Sequence, residues 1–177
     1  HSNGNTQYDG YLQQGQMLIP FESTTKNNLQ DIQASIGLRL TPQPVQVVPF
    51  VAYVDHTWKR GLSQYQETFS HKSLALGVST TWQINAKWEA LGLFSVGQMQ
   101  SAQINVPQVS FLASLGTQII KTAQAQLAYG FNQHWQLALS ANYQHYGYGQ
   151  STLSNGFIEP ESMTKQRSVL TSLHYIY

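Results

Sequence analysis

The stretch HKSLALGVSTTWQI, residues 71 to 84, decides the fold class. From Leu74 onward, every second side chain is mostly large and apolar, and the side chains between them are small or polar. Successive side chains of a β-strand point to opposite faces, so this two-residue period predicts a strand with one apolar face and one small, uncharged face. The same alternation occurs in four other segments, at residues 29–40, 122–131, 134–144 and 168–177.

The composition is unusual for a soluble domain. The chain has 177 residues, which fits one domain spanning residues 1 to 177, but only 10% of them are charged, whereas about a quarter is usual. The formal net charge of +1 gives no indication of nucleic-acid binding. Cysteine is absent, which excludes disulfides and thiolate metal sites. No run of apolar residues is long enough to predict a transmembrane helix.

Short and long connections alternate along the chain, which predicts a directional all-β architecture. Short turns are expected at residues 41–44, 85–87 and 132–134, and longer polar loops at 22–28, 59–72, 100–108 and 149–167. The strands between them are predicted at residues 8–21, 29–40, 45–58, 72–84, 87–99, 117–131, 134–148 and 167–177. The third and fifth of these are ambiguous in phase. We therefore predict a closed antiparallel up-and-down barrel of about eight strands, with short turns at one end and long loops at the other.

The second face of the strands indicates what surrounds the barrel. A soluble barrel carries Lys and Glu on its outer face, whereas here the second face carries Gln, Ser, Thr, Ala and Gly. A transmembrane barrel inverts the arrangement, with its apolar face toward lipid. Aromatic residues near the turns and loops fit two interfacial girdles, predicted at Trp58, Trp82, Trp88, Phe131, Trp135, Tyr143, Tyr175 and Tyr177. A soluble antiparallel barrel remains the alternative.

Two features of the sequence carry a resemblance to a known class. The final residues SLHYIY form an alternating strand that ends on an aromatic residue, and the segments NAKWEALGLFSVG and NQHWQLALSANY each join a turn, a tryptophan and an alternating strand. This pattern resembles the small bacterial outer-membrane β-barrels of the opacity, adhesion-invasion and OmpA-type class. The resemblance implies a Gram-negative outer membrane, insertion by the barrel assembly machinery, loops that face the cell exterior and no cofactor.

The interior of an eight-stranded barrel is narrow enough for side chains to fill, so we expect a packed polar lumen. A buried Arg39 needs a carboxylate partner, for which Asp31 and Glu89 are the candidates. The predicted lumen network comprises Asp31, Gln33, Arg39, Glu89, Gln124, Gln126, Ser140 and Asn142. A narrow path for a solute or a proton is the alternative use of the same residues.

The predicted loops carry the candidate interaction residues. Residues 149–167 form the longest loop, where a contact with an extracellular protein or a host surface is predicted for Phe157, Ile158, Glu159 and Glu161. A solvated connector is the alternative. Basic residues near the outer rim are candidates for contact with lipopolysaccharide phosphates or are ordinary rim charges, and they are Lys59, Arg60, Lys72, Lys121 and Arg167.

These observations favour a structural or surface-interaction protein, adhesin-like, that acts through its extracellular loops. The alternatives are a narrow porin-like channel and a lipid A acyl hydrolase. Hydrolysis is not expected, because His71 and Ser73 lie on the predicted lumen face, whereas such an enzyme would act from the lipid side. The six histidines show no metal-ligand spacing, so no metal site is predicted.

Overall fold

The computed structural model describes residues 2–14, 17–62 and 65–175. The fold is a closed, antiparallel, up-and-down β-barrel, which confirms the predicted fold class. Its strands are β1 (Ser2–Gln14), β2 (Met17–Gly37), β3 (Val45–Leu62), β4 (Tyr65–Gln83), β5 (Trp88–Val106), β6 (Phe111–Gly116), β7 (Ile119–Gly130), β8 (Trp135–Ser151) and β9 (Ser162–Tyr175). No helix in these described ranges is long and apolar enough to cross a membrane.

The nine strands of the described chain occupy eight positions around the barrel. Strands β6 and β7 share one position, because both pair with β5 on one side and with β8 on the other. The remaining strands pair with their neighbours in sequence. The connections 38–44, 84–87 and 131–134 lie at one end, the lower end, and the connections 107–110 and 152–161 lie at the other, the upper end.

The strands extend much further toward the upper end than the sequence pattern predicts. The predicted first strand, residues 8–21, is wrong because it combines the end of β1 with the start of β2. The predicted loop 59–72 falls almost entirely within β3 and β4, and the predicted loop 149–167 shortens to residues 152–161. The physical reason is that, toward the upper end, polar residues lie on the outer face of the strands and apolar residues on the inner face. The alternation of large apolar and small polar side chains is therefore less visible there in the sequence.

The apolar face of the lower part of the barrel points outward. On β4, the exposed fractions of Leu74, Leu76, Val78 and Trp82 are 48%, 68%, 39% and 50%. The side chains between them alternate toward the interior and are small, such as Ala75, Gly77 and Ser79. The small polar face therefore lines the lumen here. We call this part, below the directly opposed pair Asp55 and Lys72, the lower barrel.

The part above the Asp55 and Lys72 pair, the upper barrel, has the opposite distribution. Its outer face carries polar residues such as Ser70 and Gln103. Its interior holds most of the hydrophobic core, and Met99 and Ile120, opposite Ser73 and Gly97, continue the core just below the pair. The core comprises Trp58, Phe69, Met99, Ala102, Ile104, Val106, Phe111, Ala113, Leu115, Ile120, Tyr146 and Tyr148. The outer face thus changes from apolar to polar, and the inner face from small and polar to hydrophobic, at nearly the same height.

A β-bulge in β5 contributes to this change of the inner face from small and polar to hydrophobic. Lys72 lies opposite Ser101 and Ser73 lies opposite Met99, so Gln100 is the extra residue. One inserted residue changes which side chains point inward. Met99 and Ala102 are both buried, and the bulge places the apolar residues above it, rather than their polar neighbours, inside the barrel. The phase ambiguity of the predicted strand 87–99 has a different cause, because Leu91 and Leu93 share the inner face with Ser95, whereas Ala90 and Gly92 lie on the outer face.

A candidate functional site in the upper barrel

Three pairs of opposing residues on the inner face of β3 and β4 build a buried polar cluster. In the register of these two strands, His56 lies opposite His71, Trp58 opposite Phe69, and Arg60 opposite Glu67. Directly opposed side chains have Cβ atoms about 5 Å apart, so each pair is in contact. The layers stack upward in that order along the lumen. We call these six residues, together with Asp31, Tyr146, Tyr148 and Glu159, the upper cluster.

The uppermost layer is a buried ion pair. Arg60 Nε donates a hydrogen bond of 2.6 Å to Glu67 Oε2, and Arg60 Nη2 lies 2.5 Å from the same oxygen. The Arg60 guanidinium carbon also lies 5.1 Å from the centroid of the Trp58 ring and 5.0 Å from that of Phe69. A buried charge is tolerated only when it is paired, and the two aromatic faces add cation–π attraction.

The 152–161 connection contributes a second carboxylate to this layer. Glu159 Oε1 lies 3.9 Å from Arg60 Nη2. The main chain around Glu159 is fixed, because its N–H donates to Ser151 Oγ at 2.8 Å and its C=O accepts from the Ser151 N–H at 2.9 Å. Burial and, to a smaller extent, the nearby Glu67 carboxylate raise the pKa of Glu159 to about 7, against the opposing effect of Arg60. The connection is thus anchored to the barrel mouth by a carboxyl group that titrates near neutral pH.

The lowest layer connects strands across the lumen. His56 Nδ1 lies 2.6 Å from Asp31 Oδ1, and the His56 ring stacks on His71 with centroids 4.5 Å apart. His71 Nδ1 in turn lies 2.9 Å from the Tyr148 hydroxyl of β8, which is not a sheet neighbour of β4. Which atom donates depends on the histidine tautomers. This chain of contacts runs from β2 through β3 and β4 to β8 and joins opposite walls of the barrel.

The contacts of His71 and Ser73 bear on the hydrolase alternative. Both side chains point into the barrel, and Ser73 is only 2% exposed. His71 is engaged by Tyr148 and His56, while the nearest carboxylate, Asp31, orients His56 instead. Catalysis by serine needs one chain from carboxylate through histidine to hydroxyl, and the described contacts do not form one at Ser73. Within the described ranges no group of three or more His, Asp or Glu residues is placed to hold a metal ion.

Four of the predicted lumen residues lie on β7 and β8 in the lower barrel, namely Gln124, Gln126, Ser140 and Asn142. Ser140 Oγ donates to Gln126 Oε1 at 3.0 Å, and Asn142 Nδ2 lies 3.5 Å from Ser168 Oγ. Gln124 alternates with Ala123 and Ala125 in β7 and faces the same side as Gln126. All of these lie below the upper cluster.

The prediction that Arg39 is buried and paired with Asp31 or Glu89 is wrong. Arg39 lies in the exposed connection after β2 and forms no ion pair within the described residues. Asp31 contacts His56 instead, and Glu89 lies at the lower end of β5. Gln33 is exposed. The lower end of the lumen is open to solvent at these positions, so the Arg39 guanidinium needs no protein carboxylate.

The aromatic residues of the lower end lie on the outer face. They include Trp82, Trp88, Phe131, Trp135 and Tyr175, all exposed. The prediction that Trp58 belongs to an aromatic girdle is wrong, because Trp58 is 7% exposed and stacks on Phe69 inside the barrel. Tyr143 lies on the outer face at the top of the lower barrel. Tyr177 lies outside the described residues.

Two of the predicted surface contacts also need correction. Arg60 points into the barrel, whereas Lys59, Lys72, Lys121 and Arg167 are exposed. The parity of β3 decides this, since Arg60 shares the inner face with His56 and Trp58.

In the upper loop, Glu159 is turned toward Arg60 and is therefore not a free contact residue. Phe157 and Ile158 are exposed there. Glu161 is also exposed, and its Oε1 accepts a 3.2 Å bond from Gln118.

Sequence reasoning missed most of the upper cluster. The sequence pattern does not predict a lumen position for His56, Glu67, Tyr146 or Tyr148. A signal was present, because large or ionisable residues recur at every second position, at 56, 58 and 60 on one strand and at 67, 69 and 71 on the next. Most of that signal lies in the predicted loop 59–72, and only His56 and Trp58 fall within the predicted strand 45–58.

Comparisons of the chain with protein-family models, with curated proteins and with solved structures find no match. The interpretation of the upper cluster therefore depends on its own geometry and chemistry.

Proposed function

We propose that this chain is an integral outer-membrane β-barrel whose lower barrel crosses the hydrocarbon layer and whose upper barrel projects from the cell surface. One observation carries the proposal, namely the outer face. It is apolar in the lower barrel, with Leu74, Leu76 and Val78 exposed, and polar above the Asp55 and Lys72 pair. Exposed apolar residues in a continuous band are costly in water and favourable in lipid.

The height of the apolar band supports a membrane location. On the outer face of β7 to β9, the upper limit is a row of basic residues, Lys121, His145 and Lys165, and the lower limit is an aromatic row that contains Trp135 and Tyr175. From His145 to Trp135 the strand advances by ten residues, which is about 33 Å along its axis and about 25 Å at a tilt of about 40°. Outer-membrane barrels have an apolar band of about this height.

The filled upper interior favours a surface protein over a channel. Tyr146, Tyr148, Phe69 and Met99 are among the largest fully buried side chains, and they occupy the lumen at the upper cluster. An eight-stranded barrel is narrow enough for such side chains to close it. On this proposal, purified protein in a planar bilayer gives no discrete ion currents. Stable current steps would instead support the narrow solute channel.

The role of this barrel is structural or adhesive, through the surface that its upper end presents. The exposed Phe157 and Ile158 in the 152–161 connection are the apolar side chains available to an extracellular protein or host surface. Lipopolysaccharide surrounds the basic row, and the barrel assembly machinery inserts the chain. For the lipid A hydrolase, mass spectrometry of lipid A from cells with and without the protein should reveal no acyl change.

The orientation can be tested by surface labelling, because the natural chain has no cysteine. We expect Phe157→Cys to react with a membrane-impermeant maleimide on intact cells. The matched variant Ala86→Cys, in a short turn at the opposite end, should react only after the cells are broken. Reaction of Ala86→Cys alone on intact cells would contradict the proposed orientation. Protein that stays monodisperse without detergent would contradict the membrane location itself.

A further inference from the structure

The outer wall formed by β7, β8 and β9 contains an apolar groove in the lower barrel. The groove has a volume of about 550 Å³, and its lining includes Ala123, Ala125 and Ala141 between the larger Tyr143 and Val169. Arg167 lies at its upper rim, directly opposite Tyr143. Small side chains at the centre leave a depression along the strands, open toward the surroundings of the barrel.

Basic residues are concentrated directly above this groove. Lys121 lies opposite His145, and His145 lies opposite Lys165, so the three side chains form one cross-strand row. Arg167 is two residues below Lys165 on the same face. Among the described residues, no ion-pair partner is found for Lys121, Lys165 or Arg167. The Nε2 atom of His145 is buried and has no hydrogen-bond partner among the same residues. Like charges so close together repel, which an anion between them would relieve.

The opposite wall has a different charge pattern where its outward apolar residues end, just above Leu74. On β3 and β4, Lys72 lies directly opposite Asp55, so a cation there has a carboxylate in the neighbouring strand. Lys72 thus differs from Lys121, Lys165 and Arg167, which have no carboxylate directly opposite them in the described strand pairings. This difference supplies a matched control.

We propose that this wall binds one phosphate-bearing lipid, with its phosphate at Arg167, Lys165 and Lys121 and an acyl chain in the alanine-lined groove. The inference rests on the proposed function, since it requires the lower barrel to lie in lipid. Arg and Lys form strong charge-assisted hydrogen bonds with phosphate oxygens. An acyl chain in the groove gains close van der Waals contact with the wall. The apolar groove directly below the cations favours a lipid over a free phosphate ion, which would use the cations alone.

The test uses native mass spectrometry of the full chain in detergent, titrated with phosphatidic acid or with phosphatidylcholine of the same acyl chains. We expect one tightly bound phosphatidic acid and about tenfold weaker binding of phosphatidylcholine. Arg167→Gln combined with Lys165→Gln should remove the preference. Ala141→Phe, which fills the groove, should weaken phosphatidic acid without changing the binding of glycerol phosphate. Lys72→Gln is the control and should leave both affinities unchanged.

Each other outcome has a defined meaning. An equal effect of Lys72→Gln would overturn the proposed site, as would a wild-type protein without preference for the anionic lipid. Glycerol phosphate that competes as well as the lipid would show an ion site only and would also overturn it. Failure of the proposed function looks different, because the wild-type chain would then remain dispersed in buffer without detergent and would not change its gel mobility on boiling.

Discussion

The lower and upper barrel use the same strands with opposite distributions of residues. Strand β4 makes the comparison within one element, since Leu76 and Val78 face outward below Lys72, and Phe69 and His71 face inward above it. The two-residue alternation continues through both halves. What changes is the medium outside, which is lipid for the lower barrel and water for the upper barrel on our proposal. A continuous strand can thus be membrane-like at one end and like a soluble protein at the other.

The two halves are also stabilised differently. In the upper barrel, buried aromatic side chains gain about 1.5 to 3 kcal/mol each from removal from water. The lower interior holds mainly small and polar residues besides Phe50, so on our proposal its stability depends more on the strand ladder and on the lipid outside. The predictions below separate these contributions, starting with the largest expected effect.

Removal of the Phe69 ring should have the largest effect. The ring stacks on Trp58 and on Tyr148, with centroid distances of 5.1 and 5.3 Å. Phe69→Ala leaves a cavity in the upper core and is expected to lower the free energy of unfolding by about 3 to 5 kcal/mol. This change in the free energy of unfolding can be measured from the loss of the fast-migrating, unboiled gel form as the urea concentration is increased. The neighbouring outer-face variant Ser70→Ala should change little, and equal costs for both would contradict the assignment of a core here.

A charge on the proposed lipid face should cost nearly as much. Val78 lies near the centre of the apolar band on β4, so Val78→Arg should destabilise the barrel in lipid by about 2 to 4 kcal/mol. Ser70→Arg, on the same face of the same strand in the upper barrel, should cost less than about 0.5 kcal/mol. Unfolding of both variants in lipid vesicles provides the comparison. A neutral Val78→Arg would show that the lower barrel faces water.

A side chain at Gly77 should produce a smaller loss. Gly77 lies opposite Phe50, and a Cβ atom at Gly77 would collide with the Phe50 ring and lie 2.7 Å from the Phe94 carbonyl oxygen. Gly77→Val is expected to cost about 1 to 3 kcal/mol through overpacking. Gly92→Val is the matched change, because a Cβ atom there meets no atom within 4 Å. Similar losses of stability in both variants would mean that the backbone preference of valine, and not overpacking against Phe50, causes the loss.

The smallest expected effect concerns pH and Glu159. Its pKa is raised from 4.5 to about 7 in the folded chain, so between these values the folded state holds a proton that the unfolded state has lost. Stability should therefore fall as the pH rises from about 4.5 to about 7, and level off above. Glu159→Gln should flatten this curve and be the more stable protein at pH 8. Glu161→Gln, an exposed change in the same connection, should leave the curve as it is.

The sequence predicts the lower barrel well, for a physical reason. From Leu74 to Trp82, the alternation contrasts large apolar with small polar side chains, and the contrast is visible without knowledge of the neighbours. In the upper barrel the polar residues move to the outer face. Their frequency in segments such as 59–72 is typical of loops, so the pattern predicts loops where the strands continue.

The upper cluster could be predicted only in part. The parity of Trp58 and Arg60 follows once β3 is extended to Leu62, which places both inside. The contact of Asp31 with His56 depends on the register between β2 and β3, and that of His71 with Tyr148 depends on closure of the barrel across the lumen. Neither is contained in local periodicity. The bulge at Gln100 has no local signal that we can identify.

The most direct test of the central claim compares two spin labels on the outer face of β4. Leu76→Cys and Ser70→Cys each give a single labelling site, because the natural chain has no cysteine. In lipid vesicles, our account predicts that oxygen relaxes the label at residue 76 far more than a water-soluble nickel chelate does, and that the order is reversed at residue 70. Strong relaxation by the nickel chelate at both positions would contradict the claim that the lower barrel faces lipid.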